Sequence, residues 1–537
     1  MATPLKRQLL NNAVGAGVFH IASTFVALLS IPFLVHGLGI EGYGFLALLA
    51  AASKYGGFTD FGIGPSLTRQ VAYHHARGEA REVRATATVG TLFYVGLLAL
   101  ATVASLSFAP AIVALGHYRD PAFVRDATDL LRIFIIAFFA GGVGGNFQSF
   151  LAGIGRLQLA SKLGASISIA GTVLAVVAVS AHLGLVGVAG AIAVTAAINI
   201  VLPYLAARRA YGPILAAPAS LTWPSARGLL ATGGWIQLST IMVILYAETD
   251  QLIVATVLGL AASGLFDVGR KLARAVRAVS FYFATALMPA VATIHSRGTE
   301  SLEAIVVDGT RYLGVMTMFV SGLLYVSAPN VVTLWIGPGP HDATIVHVVR
   351  VLLVVYVIDS LQAVSITILR GTGTPKLEAF YSVTNALVNI ALTVALVRPF
   401  GLDGILAGSL GGMAVASAVF SVAYCRSKGY DVRVSLGVPL LRLALASIAS
   451  VATVTFALHF VPLADDGSKL HALLTLACAS AMYALVYAVV IRIAGVLSMR
   501  DLAFAKASFP ARLRSVFDAP IVRGMFVASH PPLEKAS

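Results

Sequence analysis

Charge is scarce in this chain. Asp, Glu, Lys and Arg make up 11% of its 537 residues, against about 25% in an ordinary soluble domain. The hydrophobic fraction is 58%, more than a soluble fold of this length can place in its cores. A disordered chain or a coiled coil would need far more polar sequence, so both are excluded. Cysteine is scarcer still. Cys425 and Cys478 build neither a disulfide framework nor a metal site. Several catalytic signatures are missing as well. There is no GxxxxGK[ST] phosphate loop, no HExxH, no CxxC, no GxSxG and no DxD. ATP hydrolysis by this chain is therefore not expected, nor is an enzyme activity, a metal or a bound cofactor. What is abundant is apolar sequence, with room for a dozen or more membrane spans of about 20 residues each.

Fourteen apolar segments can be read along the chain: 13–36, 42–67, 87–116, 130–152, 158–181, 185–206, 229–257, 262–292, 311–336, 345–369, 377–397, 402–424, 436–461 and 470–494. The expected fold is therefore all-α and polytopic. The first run follows Lys6 and Arg7, is too long for a signal-peptide core, and lacks a small-residue cleavage site after it. It is read as an uncleaved first span. With the N-terminus in the cytoplasm, 26 Lys and Arg fall in inside segments and 4 in outside loops, among them Arg119 and Lys469. Cytoplasmic loops carry such an excess, so the split fits fourteen spans with both termini cytoplasmic. The net charge of +14 follows topology and gives no reason to expect a nucleic acid partner.

The chain repeats itself. At a shift of 220 residues, Gly39 and Gly44 meet Gly259 and Gly264, and Val71-Ala72-x-x-His75-x-Arg77-Gly78 meets Val291-Ala292-x-x-His295-x-Arg297-Gly298. At 218, Arg132 meets Arg350, and at 217, Gly184 and Gly187 meet Gly401 and Gly404. The drift is what short loop deletions produce. Spans one to six (1–210) and seven to twelve (211–430) are thus two copies of one unit. Residues 431–496 add spans thirteen and fourteen, and 497–537 form a basic cytoplasmic tail. Each copy has an even number of spans, so the copies are parallel repeats about an axis along the membrane normal. Two pseudo-symmetric six-helix lobes around a central cavity are expected. Gly141 and Gly145 form a GxxxG pair expected to pack helices closely.

Charges inside the spans point to what such a cavity would hold. Span eight carries Asp267, Arg270, Lys271, Arg274 and Arg277. Arg270, Arg274 and Arg277 share one helix face, and Asp267 precedes Arg270 and Lys271 by three and four residues, within pairing reach. Each cation costs about 2.5–3.5 kcal/mol at the bilayer centre even on the mildest scale, so four facing lipid would be prohibitive and a wet cavity is expected. The 220-residue register places Lys54 opposite Arg274. The acidic residues Asp60, Glu248, Asp250 and Asp359 can each carry a coupling proton or Na⁺, or pair with a buried cation.

The stretch LGIEGYGFLALLAAASKYGGFTDFGIGPSLTRQVA, from Leu38 to Ala72, resembles the start of bacterial polysaccharide-biosynthesis membrane proteins. Its LG-x-x-x-YG turn supplies Gly39, Tyr43 and Gly44, followed by Asp60 and Gly62 near the inner end of span two and then Arg69. The second half echoes it in TDQLIVATVLGLAASGLFDVGRKL, where Asp250 matches an acidic residue that family often has. With its fourteen spans, the chain looks like a Wzx-type flippase of the multidrug/oligosaccharidyl-lipid/polysaccharide exporter superfamily. The resemblance implies a bacterial inner-membrane location and transport of undecaprenyl-pyrophosphate-linked oligosaccharide to the outer leaflet by alternating access. It further implies an anionic glycolipid and membrane lipids as partners, and polysaccharide polymerase machinery as a neighbour. Lys54, Arg270, Lys271, Arg274 and Arg277 are the candidate substrate-binding set; Asp60, Asp250, Glu248 and Asp267 are candidate ion-coupling groups or charge partners. A proton or sodium gradient, or the membrane potential itself, is the expected energy source. The nearest alternative is a lipid II flippase of the same superfamily. A multidrug antiporter would want an acidic cavity for cationic drugs, and a membrane glycan polymerase or ligase would want a large outer loop.

Overall fold

The computed structural model describes residues 4–55, 63–114, 121–215, 234–278, 280, 302–371, 376–458, 460, 469–497 and 501. Among them there are helices and no strands. Among the described residues, twelve helices are long and apolar enough to cross a membrane. Thirteen of the fourteen sequence segments are accounted for by these twelve, because the helix α1 (Pro4–Tyr55) carries two of them across a break at Gly39. The eighth segment begins in a described helix and continues beyond it, so residues 281–292 lie outside the described residues. The part of span two from 56 to 62, including Asp60, lies outside them as well.

Two compact units result, Met1–Asp267 and Val268–Ser537. In the first, α1 is followed by α2 (Ile63–Ala76), α3 (Ala80–Ala114), α4 (Pro121–Gly153), α5 (Leu157–Ser180), α6 (Gly184–Tyr211) and α7 (Gly234–Ile253). A five-residue π-helical turn, Val254–Leu258, then leads to α8 (Leu260–Arg274), which crosses from one unit into the next. The second unit continues with α9 (Leu302–Ile336), α10 (Asp342–Leu361), the short α11 (Ala363–Gly371), α12 (Lys376–Phe400), α13 (Leu402–Lys428), α14 (Val438–Leu458) and α15 (Lys469–Ile493). Within it, α14 and α15 pack on α9 and on one another, so spans thirteen and fourteen join the second unit through a tyrosine-rich seam. Tyr487 donates to the Val315 carbonyl at 2.9 Å and Tyr483 to that of Met318 at 3.3 Å.

Lipid rather than water is the solvent these surfaces require. Leu441, Leu445 and Ile448 on α14 stand at i, i+4 and i+7 and are all exposed. Leu100, Val103 and Leu106 make a similar exposed stripe on α3. A soluble monomer would not present such continuous apolar faces, and the chain is a multi-pass membrane protein. Between helices in lipid, close backbone approach replaces the hydrophobic drive. Gly404, Gly408 and Gly412 on α13 provide it against α12, where a Cβ at Gly404 would lie 2.1 Å from the Leu396 carbonyl oxygen. The expected Gly141/Gly145 pair behaves differently. Gly145 has open space where a Cβ would stand, whereas a Cβ on Gly144 would meet the Asn199 carbonyl oxygen at 2.0 Å. The close contact between α4 and α6 runs through Gly144, one residue off the spacing that the motif suggested.

The repeat is visible in one crossing inside the first unit. Gly39 (φ 69, ψ 168) and Gly259 (φ 92, ψ 172) adopt almost the same left-handed conformation, which L-residues disfavour, and each opens a new helical segment. A Cβ at Gly44 would lie 1.9 Å from the Leu260 carbonyl oxygen, and one at Gly264 would lie 2.5 Å from that of Ile40. Ile40 and Leu260 are 220 residues apart, as are Gly44 and Gly264. The contact maps onto itself when the two segments are exchanged, as an isologous two-fold contact does.

Candidate substrate-binding site

The crossing fixes the start of α8. Gln251 donates its side-chain amide to the hydroxyl of Ser263 at 2.7 Å and to its carbonyl at 2.9 Å. Ser263 in turn donates to the Gly44 carbonyl at 3.2 Å. One turn further, the buried carboxylate of Asp267 accepts a hydrogen bond from Tyr43 at 2.7 Å. Tyr43 thus has a role of its own in the LG-x-x-x-YG segment, holding the helix that carries the cations. Glu248 and Asp250 are both buried on α7. Between them lies Thr249, whose hydroxyl is 2.6 Å from that of Tyr55, beside the exposed Lys54 at the end of α1. Both carboxylates act electrostatically on Tyr55.

In the second unit the cations follow one another along the end of α8. Gly269 seats the helix against α10, where a Cβ would come 2.6 Å from Val348. Arg270 is buried, Lys271 and Arg277 are partly exposed, and Arg274 is exposed at the last helical position. Beyond it the backbone tightens. Ala275, Val276 and Ala278 each donate to the carbonyl three residues earlier, and in such a turn residues three apart are nearly eclipsed. Arg277 therefore stays above Arg274, and the backbone is helical again at 277, 278 and 280.

The structure adds a partner from α10. A guanidinium nitrogen of Arg277 lies 2.9 Å from Asp359, which also accepts the Tyr381 hydroxyl at 3.1 Å. The Arg277 guanidinium stands 5.8 Å from the ring centroid of Tyr356, and Arg270, Arg274 and Arg277 all act electrostatically on that tyrosine. The order of contacts, Gly269 at Val348 and then Arg277 at Asp359, makes α8 and α10 run the same way, as spans of equal parity must. Tyr356 was invisible among the apolar residues of span ten. Its position three residues before Asp359, on the same helix face, is the signal that marks it. Four cations, set among Asp267, Asp359 and Tyr356, can hold a multiply charged oxyanion through charge-assisted hydrogen bonds.

The sequence profile of polysaccharide biosynthesis proteins matches residues 9–295, more than half of the chain. The chain belongs to the polysaccharide biosynthesis protein family. A Shigella flexneri relative named "Putative O-antigen transporter" is 22% identical over 401 residues, covering 74% of this chain and 93% of that protein. Among solved structures, this family member is similar to an inward-facing multidrug resistance MATE transporter of the MOP superfamily, with TM-score 0.64 and 16% identity over 75% of this chain and 94% of that one. It is also similar to the lipid II flippase MurJ in an inward closed conformation, with TM-score 0.63 and 11% identity over 88% and 98% of the two chains. These likenesses give this family member the MATE-like transporter fold, and the proteins it resembles are transporters and flippases rather than enzymes.

Proposed function

We propose that the chain carries undecaprenyl-pyrophosphate-linked oligosaccharide from the cytoplasmic to the outer leaflet of the bacterial inner membrane, by alternating access, for cell-surface polysaccharide synthesis. The observation that carries this reading is the row Arg270, Lys271, Arg274 and Arg277 along a membrane helix, partnered by Asp359 and Tyr356 of α10. The family and the transporter named for O-antigen support it. The pyrophosphate would engage the row while the polyprenyl chain stays in lipid. Moving an anion out of a negative interior releases about 2.3 kcal/mol per charge per 100 mV. Returning the empty cationic carrier runs with the same field, because its positive charge moves toward the negative interior. A coupling proton or Na⁺ on the buried Glu248, Asp250 or Asp267 would add its own gradient to the cycle, with both termini in the cytoplasm and the polysaccharide polymerase machinery downstream.

Removing the gene should leave lipid-linked oligosaccharide on the cytoplasmic leaflet and strip polysaccharide from the surface, as read by extraction and immunoblot. Unchanged surface polysaccharide would refute the reading. Rescue of cells depleted of their lipid II flippase would instead assign the chain to the peptidoglycan precursor.

A further inference from the structure

The first unit contains a cavity of about 530 Å³ among α1, α4, α5 and α6, within the ~300–1,000 Å³ range of small-ligand sites. Its chemistry is unlike that of the cationic row. It is lined without a single ionisable side chain. Two amides, Gln148 and Asn199, face it and are joined by a 3.1 Å hydrogen bond from Gln148. That bond leaves the Gln148 carbonyl oxygen as an acceptor. Thr172 and Thr195 on the wall donate to the Ser168 and Ala191 carbonyls of their own helices at 3.0 and 2.7 Å, so each turns an oxygen lone pair outward. Two rings, Phe134 and Phe138, complete the wall.

Glycines keep these groups accessible. A Cβ at Gly164 would stand 3.0 Å from the Gln148 carbonyl oxygen, and one at Gly171 would stand 2.8 Å from the Thr195 hydroxyl. Ser53 of α1 also lines the cavity. A neutral pocket of amides, hydroxyl acceptors and aromatic faces matches a saccharide. Sugar hydroxyls would donate to the oxygen acceptors, and the C–H face of the ring would lie on the phenyl groups. We propose that this cavity is a glycan subsite, holding sugar units of the lipid-linked oligosaccharide. The proposal rests on the lipid-linked oligosaccharide reading above.

Binding of two probes to the full-length protein in nanodiscs tests it: undecaprenyl pyrophosphate, and the same lipid carrying a disaccharide. Wild type should bind the glycosylated probe at least ten-fold more tightly than the bare one. Gln148→Ala/Asn199→Ala should lose that advantage and keep the affinity for the bare lipid, whereas Arg274→Ala should weaken both. Ser168→Ala/Thr172→Val, a near-isosteric change, should reduce the advantage in the same direction if the amide variant fails to fold. Equal wild-type affinity for the two probes, or a full glycan advantage in the folded variants, would overturn the subsite and leave the cationic row standing. No binding of either probe would remove the lipid-pyrophosphate reading and the subsite with it.

Discussion

Arg277 and Asp359 constrain each other at 2.9 Å, with Arg277 one-third exposed and Asp359 largely covered. The pair therefore orients the Arg277 guanidinium within the row. Arg277→Ala should lower surface polysaccharide about ten-fold with the protein still in the membrane. Lys should restore part of that, because an ammonium keeps the charge but loses the planar fork. Wild-type polysaccharide in Arg277→Ala would contradict the role. In thermal unfolding, Arg277→Ala and Asp359→Ala should couple by about 0.5–3 kcal/mol, the range for residues in contact, and strict additivity would show that the ion pair contributes nothing. The cations were legible because each is anomalous in an apolar run. Asp359 was legible too, as an acid able to pair with a buried cation, but the tyrosines around the pair were not. Tyr356 and Tyr381 are ordinary residues of membrane helices, and only the fold brings them to the row.

At the scale of elements, the decisive feature is the crossing of the segment after Gly39 with the segment after Gly259. Both glycines lie where the sequence repeat placed them, and Gly44 and Gly264 let the two backbones touch. Gly44→Val and Gly264→Val would each drive side-chain atoms into a carbonyl. Overpacking a tight contact costs about 1–3 kcal/mol or more, so both should lower the detergent unfolding midpoint and the folded yield. Gly96→Val, at a helical site with nothing within 4 Å, should behave as wild type. Equal stability of all three variants would mean that the crossing does not hold α8. The repeat could be read from sequence because a positive φ and a backbone contact both demand glycine at fixed offsets. The Gly141/Gly145 spacing misled because GxxxG marks one face of a helix, and whether that face meets a neighbour depends on how the helices are rotated. Gly144, on the adjacent strip, is the residue that meets α6.

For the molecule as a whole, the segment count came from hydropathy and loop charge, two signals that act over twenty residues and tolerate local error. The break in α1 was harder to locate, since one glycine inside a helical run separates two spans there. The topology makes a direct prediction: reporter fusions after Lys428 and after Arg512 should report cytoplasm, and one near Asp465 should report the outside. An outside C-terminus would mean an odd number of spans. The central claim is that the cationic row on α8 carries a lipid-linked pyrophosphate across the membrane. Its most direct test is translocation in proteoliposomes, with a glycosylated undecaprenyl pyrophosphate loaded inside and its sugar detected outside by an impermeant glycosidase. Wild type should expose the sugar well above the protein-free rate, and Arg270→Ala/Arg274→Ala/Arg277→Ala, shown to be folded by its unfolding curve, should fall to that baseline. Wild-type rates from the folded triple variant would contradict the account.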